Sequence, residues 1–165
     1  MKNLIAVTLF LSCNVVFAQV KSSNIDADII RMCGHDYKSN KVFTCYAERY
    51  AYFFKILTTL KSTVDTHLAN PTVRPDIGSE AMTMLKNSLD GAKNFNAPFV
   101  IFLRAELKKS PAALALLPKL LAAVDVSLSG QEVESGESLL FYRARIARNH
   151  AAAVSLLKEV EFSRS

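Results

Sequence analysis

The feature that most constrains this chain is the spacing of apolar residues over residues 41–69, where they recur every three or four positions. That spacing is the period of an α-helix with one buried face. The residues that follow it are Val42, Phe43, Tyr46, Ala47, Tyr50, Phe53, Phe54, Leu57, Leu60, Val64 and Leu68. A helix of this length is about 40 Å long, so we expect it to be the central helix of a bundle. It should end near Ala69, because Pro71 disfavours a helical conformation of Asn70.

The same period predicts the other helices of the chain. They should run over residues 24–33, from about 78 to 95, from 98 to about 109, from 111 to about 126, and from about 137 to 162. We expect Pro118 to kink or split the helix that begins at residue 111, because proline has no amide proton to donate. Only five Gly and five Pro are present, too few for a turn-rich β-sandwich. We therefore predict an all-α fold, a small helical bundle of about five to six helices, in a single domain over residues 19–165.

Residues 1–18 have the features of a secretory signal peptide. Lys2 supplies the positive start, residues 4–11 are an apolar run, and Val16 and Ala18 occupy the two positions that a signal peptidase reads. We predict that the peptide is cleaved after Ala18 and that the mature domain is secreted or periplasmic. Cleavage before Cys13, followed by lipidation, is an alternative. We expect contact with a membrane only in that lipidated form.

Two cysteines remain if cleavage follows Ala18, namely Cys33 and Cys45. In an oxidising compartment such a pair should form one disulfide, which would stabilise the fold by roughly 3 kcal/mol in the chain-entropy description. It would join the end of the first predicted helix to the first turn of the second and so staple an N-terminal αα-hairpin. Two thiols do not supply the four ligands of a structural zinc site, and no metal site is predicted.

A stapled hairpin followed by a bundle is similar, in architecture only, to the plant invertase and pectin methylesterase inhibitors. The second cysteine pair of that family is missing after Cys45. No residue of this chain is therefore given a role from the resemblance.

Catalytic motifs are absent from the sequence. No HExxH, GxSxG, P-loop or GxGxxG pattern occurs, and the three histidines, His35, His67 and His150, lie on separate segments. We predict no catalytic residue and no cofactor. An enzyme that uses His35 or His150 stays open as an alternative.

Two sets of residues are candidates for a surface that binds a partner protein. The first is the aromatic segment 45–54, where Tyr46, Arg49, Tyr50 and Tyr52 could form an exposed ridge, since Tyr and Arg are typical of interface hot spots. Packing in the core is the other reading of the same tyrosines. The second set is basic and lies on the last predicted helix, where Arg145 and Arg148 are one turn apart, Arg143 lies on another face and Lys158 follows further along. A solvated helix face is the alternative.

The net charge is +5, or +4 without Lys2. Because no aromatic residues accompany the basic set on the same face, we expect no nucleic-acid binding. We expect an exported, non-enzymatic protein that binds another protein, as an inhibitor, an immunity factor or an assembly accessory would. The alternative is a carrier of a small apolar ligand or lipid, with a cavity in the bundle core lined by Phe53, Phe54, Met82, Met84, Phe99 and Phe102.

Overall fold

The computed structural model describes residues 33–34, 41–69, 75–131 and 136–165, with backbone only for residues 75–79. Within these ranges the chain forms five α-helices and no strand, which confirms the predicted all-α bundle. The helices are α1 (Val42–Ala69), α2 (Pro75–Ala92), α3 (Val100–Leu107), α4 (Pro111–Ser129) and α5 (Leu139–Arg164). The predicted signal peptide, nearly all of the predicted first helix, and His35 lie outside the described residues.

Helix α1 has the predicted bounds, whereas α2 is shifted by three residues toward the N-terminus at both ends. Its end is set by consecutive turns beyond Ala92, in which the amide of Asn94 donates to Gly91 and that of Phe95 to Ala92, both at 3.1 Å. Helix α4 continues through Pro118 without interruption, so the predicted split is wrong. The proline ring is exposed, and the buried residues on either side, Leu117 and Leu120, hold both halves of α4 against the core.

The core is built around the buried face of α1. The ring of Tyr46 meets that of Phe99 edge-on at 5.1 Å, and the ring of Phe53 stacks on that of Phe95 at 5.8 Å. Tyr46 and Tyr50 are fully buried, and burying a large apolar side chain stabilises a fold by about 1.5–3 kcal/mol. The predicted exposed ridge is therefore wrong for these two tyrosines, which belong to the core.

The disulfide between Cys33 and Cys45 is present, with the two Cα atoms 5.7 Å apart, as predicted. Cys45 lies in the first turn of α1. Gly34 follows Cys33 with a φ angle of +91°, a left-handed conformation that glycine adopts without steric cost. The disulfide thus fixes the chain before α1 to the start of the longest helix.

Two antiparallel pairs of helices make up the bundle: α1 packs along α2, and α4 packs along α5. Helices α1 and α5 run antiparallel and touch at intervals. The contacts are Arg164 with Phe43 and Thr44, His150 with Phe54 and Tyr50, and Lys61 with Tyr142. This sparse contact leaves a gap between them, which is described below.

Helix α4 is long and apolar enough to cross a membrane by length and composition alone. In this structure its leucines at 117, 120 and 128 are buried in the bundle core. About a third of its apolar stretch is buried in this way.

Candidate functional site

An open cleft of about 710 Å³ lies between α1 and α5, and we call it the α1–α5 cleft. Both walls follow the helical period, at positions 54, 58, 61/62, 65/66 and 69 of α1 and at positions 139, 142/143, 146/147 and 150 of α5. Its apolar lining is formed by Phe54, Leu139, Ile146 and Ala147, and its charged lining by Lys61, Asp65 and Arg143.

His150 and Phe54 line one end of the cleft. The ring of His150 stacks on that of Phe54 with the centroids 3.8 Å apart and the planes 10° from parallel. Its Nδ1 lies 2.8 Å from the hydroxyl of Tyr50, which in turn lies 2.7 Å from Oγ of Ser127. Tyr50 can donate its single proton to only one of these neighbours, so the other must donate to Tyr50.

Burial sets the protonation of this group. It lowers the pKa of His150 and raises the pKa of Tyr50 to about 12. At neutral pH the imidazole is therefore uncharged and the phenol is protonated. A neutral histidine held by a tyrosine can accept a proton, which is one element of an acid–base site, and burial alone accounts for the lowered pKa.

The other end of the cleft is held by an ion pair at the corner between α4 and α5. Arg145 donates to both carboxylate oxygens of Glu137, at 2.8 and 2.6 Å, and to the carbonyl of Gly130 at 2.6 Å. The side chains of Arg145 and Glu137 are only 15% and 10% exposed. Arg145 was predicted to bind a partner; the structure instead uses its guanidinium to fix this corner.

Glycine is required at position 130 of the same corner. A Cβ atom there would lie 2.5 Å from the carbonyl oxygen of Val126 and 3.4 Å from a guanidinium nitrogen of Arg145. Beside it, the hydroxyl of Tyr142 donates to the carbonyl of Gln131 at 3.1 Å. Tyr142 thus connects the wall of the cleft to the end of α4.

Tyr46 also has a structural role. Its hydroxyl donates to Oδ1 of Asn96 at 2.7 Å, and the amide of Asn96 donates to the carbonyl of Leu121 and to Asp125. Burial, and next the charge of Asp125, raise the pKa of Tyr46 well above its usual value. The pair Tyr46–Asn96 joins α1 to α4 through the turn that precedes α3.

The remaining residues predicted to bind a partner lie at the surface or near it. Tyr52 and Arg148 are exposed and Arg49 is half-buried. None of the three lines the α1–α5 cleft. Of the basic set on α5, the structure brings Arg143 to the cleft.

Sequence reasoning missed three consecutive exposed apolar residues at the start of α5. Leu139, Leu140 and Phe141 are 53%, 76% and 70% exposed, and Leu139 lines the cleft. Ser138 caps the helix by accepting a hydrogen bond from the amide of Phe141. The run Leu-Leu-Phe directly after a capping serine could have indicated this exposure, because three adjacent positions of a helix cannot all face one core.

The described residues contain no group of three His, Cys, Asp or Glu side chains placed to hold a metal ion. His67 lies seventeen residues beyond Tyr50 on α1, about 25 Å along the helix, and so is far from His150. Comparisons with protein-family models, with curated proteins and with solved structures find no match to this chain.

Proposed function

We propose that this protein acts by binding a partner protein and that a segment of the partner lies in the α1–α5 cleft. The observation that carries the proposal is an apolar cleft that opens beside the exposed residues Leu139, Leu140 and Phe141. Contiguous exposed apolar residues on a soluble domain are typical of interaction sites. A groove between two helices is the usual receptor for an amphipathic helix.

Charge favours an acidic partner segment. Of the charged residues that line the cleft, Lys61 is paired with Asp65, whereas Arg143 is exposed and has no ion-pair partner among the described residues. The cleft is therefore left with one uncompensated positive charge, in a chain whose net charge is +5. An aspartate or glutamate of the partner would complement Arg143.

The cleft is preorganised at both ends. His150 is held by Tyr50 and Phe54, and Arg145 is held by Glu137 and Gly130. A rigid receptor loses little conformational entropy on binding. A fixed cleft that recognises one segment is what an inhibitor, an immunity factor or an assembly accessory requires.

The compartment that fits this function is an oxidising one. The disulfide between Cys33 and Cys45 is typical of secreted and periplasmic proteins. We place the partner in the same compartment.

A carrier with its ligand in the bundle core has less support. Phe53 and Phe99 are fully buried and pack against Phe95. Met82 is exposed rather than directed to the core. The aromatic side chains thus occupy the volume that a ligand would need.

The test is charge reversal at Arg143, with Arg148 as the matched control because it is an exposed arginine of the same helix outside the cleft. The tagged full-length chain is purified from its own host. Arg143→Glu should weaken recovery of the partner about tenfold or more, equal to about 1.4 kcal/mol, and Arg148→Glu should leave it unchanged. Equal recovery with both variants would contradict docking in the cleft.

An enzyme that uses His150 is the second candidate, favoured by the position of that ring in the cleft wall. The two functions are distinguished by testing which variants restore the phenotype of a host that lacks the gene. If binding is the function, Arg143→Glu should not rescue the host, and His150→Asn should lose rescue only as far as it loses recovery of the partner. Loss of rescue by His150→Asn with partner recovery intact, together with rescue by Arg143→Glu, would favour the enzyme.

A further inference from the structure

A second pocket, of about 590 Å³, lies between α3 and α4. Its apolar lining comes from one side of α4, where Leu114 and Leu121 are half-buried and Leu117 is buried. These three leucines span about 10 Å along the helix axis. None of the residues that line this pocket lines the α1–α5 cleft.

Among the residues that the structure describes, the rim of the pocket carries two cations and no acid. Arg104 lies on α3 and Lys108 is the C-cap residue that directly follows this helix, four residues further along. Both are exposed, and neither has an ion-pair partner among the described residues. Four other basic residues are paired, namely Lys61 with Asp65, Lys93 with Asp90, Arg145 with Glu137 and Arg164 with Glu161, so these four are not available to an anionic ligand. Two unpaired cations at the edge of an apolar surface favour a ligand that is both anionic and apolar.

We propose that this pocket binds a single-chain anionic amphiphile, a free fatty acid. The acyl chain lies along Leu114, Leu117 and Leu121, and the carboxylate lies between Arg104 and Lys108. A row of leucines along one helix accommodates one chain rather than two, which favours a free acid over a phospholipid. The guanidinium and ammonium groups supply charge-assisted hydrogen bonds to the carboxylate.

This binding is independent of the proposed partner protein. The pocket is formed by α3 and α4, whereas the cleft is formed mainly by α1 and α5. The variant Arg143→Glu should therefore bind the fatty acid as the wild type does. If either proposal fails its test, the other is unaffected.

The test is a calorimetric titration of the full-length, disulfide-bonded chain with laurate below its micelle concentration. We expect saturable binding of one laurate per chain. Dodecyltrimethylammonium, which has the same tail and a positive head, should not occupy the site at the same concentrations. Lys108→Glu and Arg104→Glu should each raise the dissociation constant tenfold or more.

The matched control is Lys109→Glu, which reverses an exposed lysine next to Lys108 that does not line the pocket. It should change the dissociation constant less than twofold, and circular dichroism establishes that all variants are folded. The proposal is overturned if laurate shows no saturable binding, if Lys108→Glu and Lys109→Glu weaken it equally, or if the cationic amphiphile binds as well. It is also overturned if vesicles of phosphatidylglycerol bind in a Lys108-dependent manner and laurate does not.

Discussion

At the residue scale, the hydroxyl groups of Tyr46 and Tyr50 connect helices from inside the core. Tyr46 reaches the turn before α3 through Asn96, and Tyr50 reaches α4 and α5 through Ser127 and His150. A buried polar atom left without a partner costs about 1–3 kcal/mol. These contacts therefore specify one arrangement of the helices in addition to stabilising it.

The histidine in this network should make stability depend on pH. Burial lowers the pKa of His150 below its usual value of about 6.5, so the unfolded chain takes up the proton more readily than the folded one. Neutral His150 therefore makes its full contribution to the free energy of unfolding above about pH 6.5. That contribution is lost as the pH falls from this value toward the pKa of His150 in the folded state. Between pH 7.5 and pH 5.0, the free energy of unfolding measured in urea should fall more for the wild type than for His150→Asn, because the asparagine side chain does not titrate in this range.

The His150→Asn variant controls for the other titratable side chains, because these titrate in the same way in both proteins. Its amide can still form a hydrogen bond with Tyr50. Equal losses of unfolding free energy in the two proteins would show that His150 is not desolvated in the fold.

At the scale of elements, the corner between α4 and α5 determines where α5 starts and hence where the cleft opens. Removing the charge of Glu137 leaves Arg145 largely buried without its acid. We expect Glu137→Gln to lower the free energy of unfolding by about 1–3 kcal/mol. Denaturant titration followed by circular dichroism measures this loss.

The matched control is Glu161→Gln, since Glu161 also pairs with an arginine of α5 but is 53% exposed. Arg164 would keep its second acid, Glu106. Exposed pairs contribute less than about 1 kcal/mol, so this variant should stay close to the wild type. Equal effects of the two substitutions would contradict a structural role for the corner.

The bounds of the helices can be predicted from the sequence only where local signals set them. Helix α1 was predicted to within one residue, because its apolar period and the proline at position 71 are local signals. The bounds of α2 were shifted, because its end depends on the turns between residues 91 and 99. The sequence does not determine whether Tyr46 and Tyr50 face the core or the solvent, because their hydrogen-bond partners Asn96 and Ser127 lie 50 and 77 residues away along the chain.

At the scale of the whole molecule, the cleft could not be predicted, because it is a gap between two helices that are distant in sequence. Its walls depend on how far α1 and α5 diverge, which is set by a few bridging contacts rather than by a periodic pattern. The sequence did single out the basic set on the last helix. It could not show that Arg145 turns inward to Glu137 while Arg143 faces the cleft.

The central claim is that a segment of a partner protein lies in the α1–α5 cleft. Site-specific photo-crosslinking in the native host tests it most directly, with the crosslinker placed at Thr66, which is exposed and lines the cleft, or at Thr59, which is exposed on α1 outside it. We predict one discrete adduct with a partner protein from Thr66, mapping to an acidic amphipathic segment, and none from Thr59. No adduct from Thr66, or the same adduct from both positions, would contradict the claim.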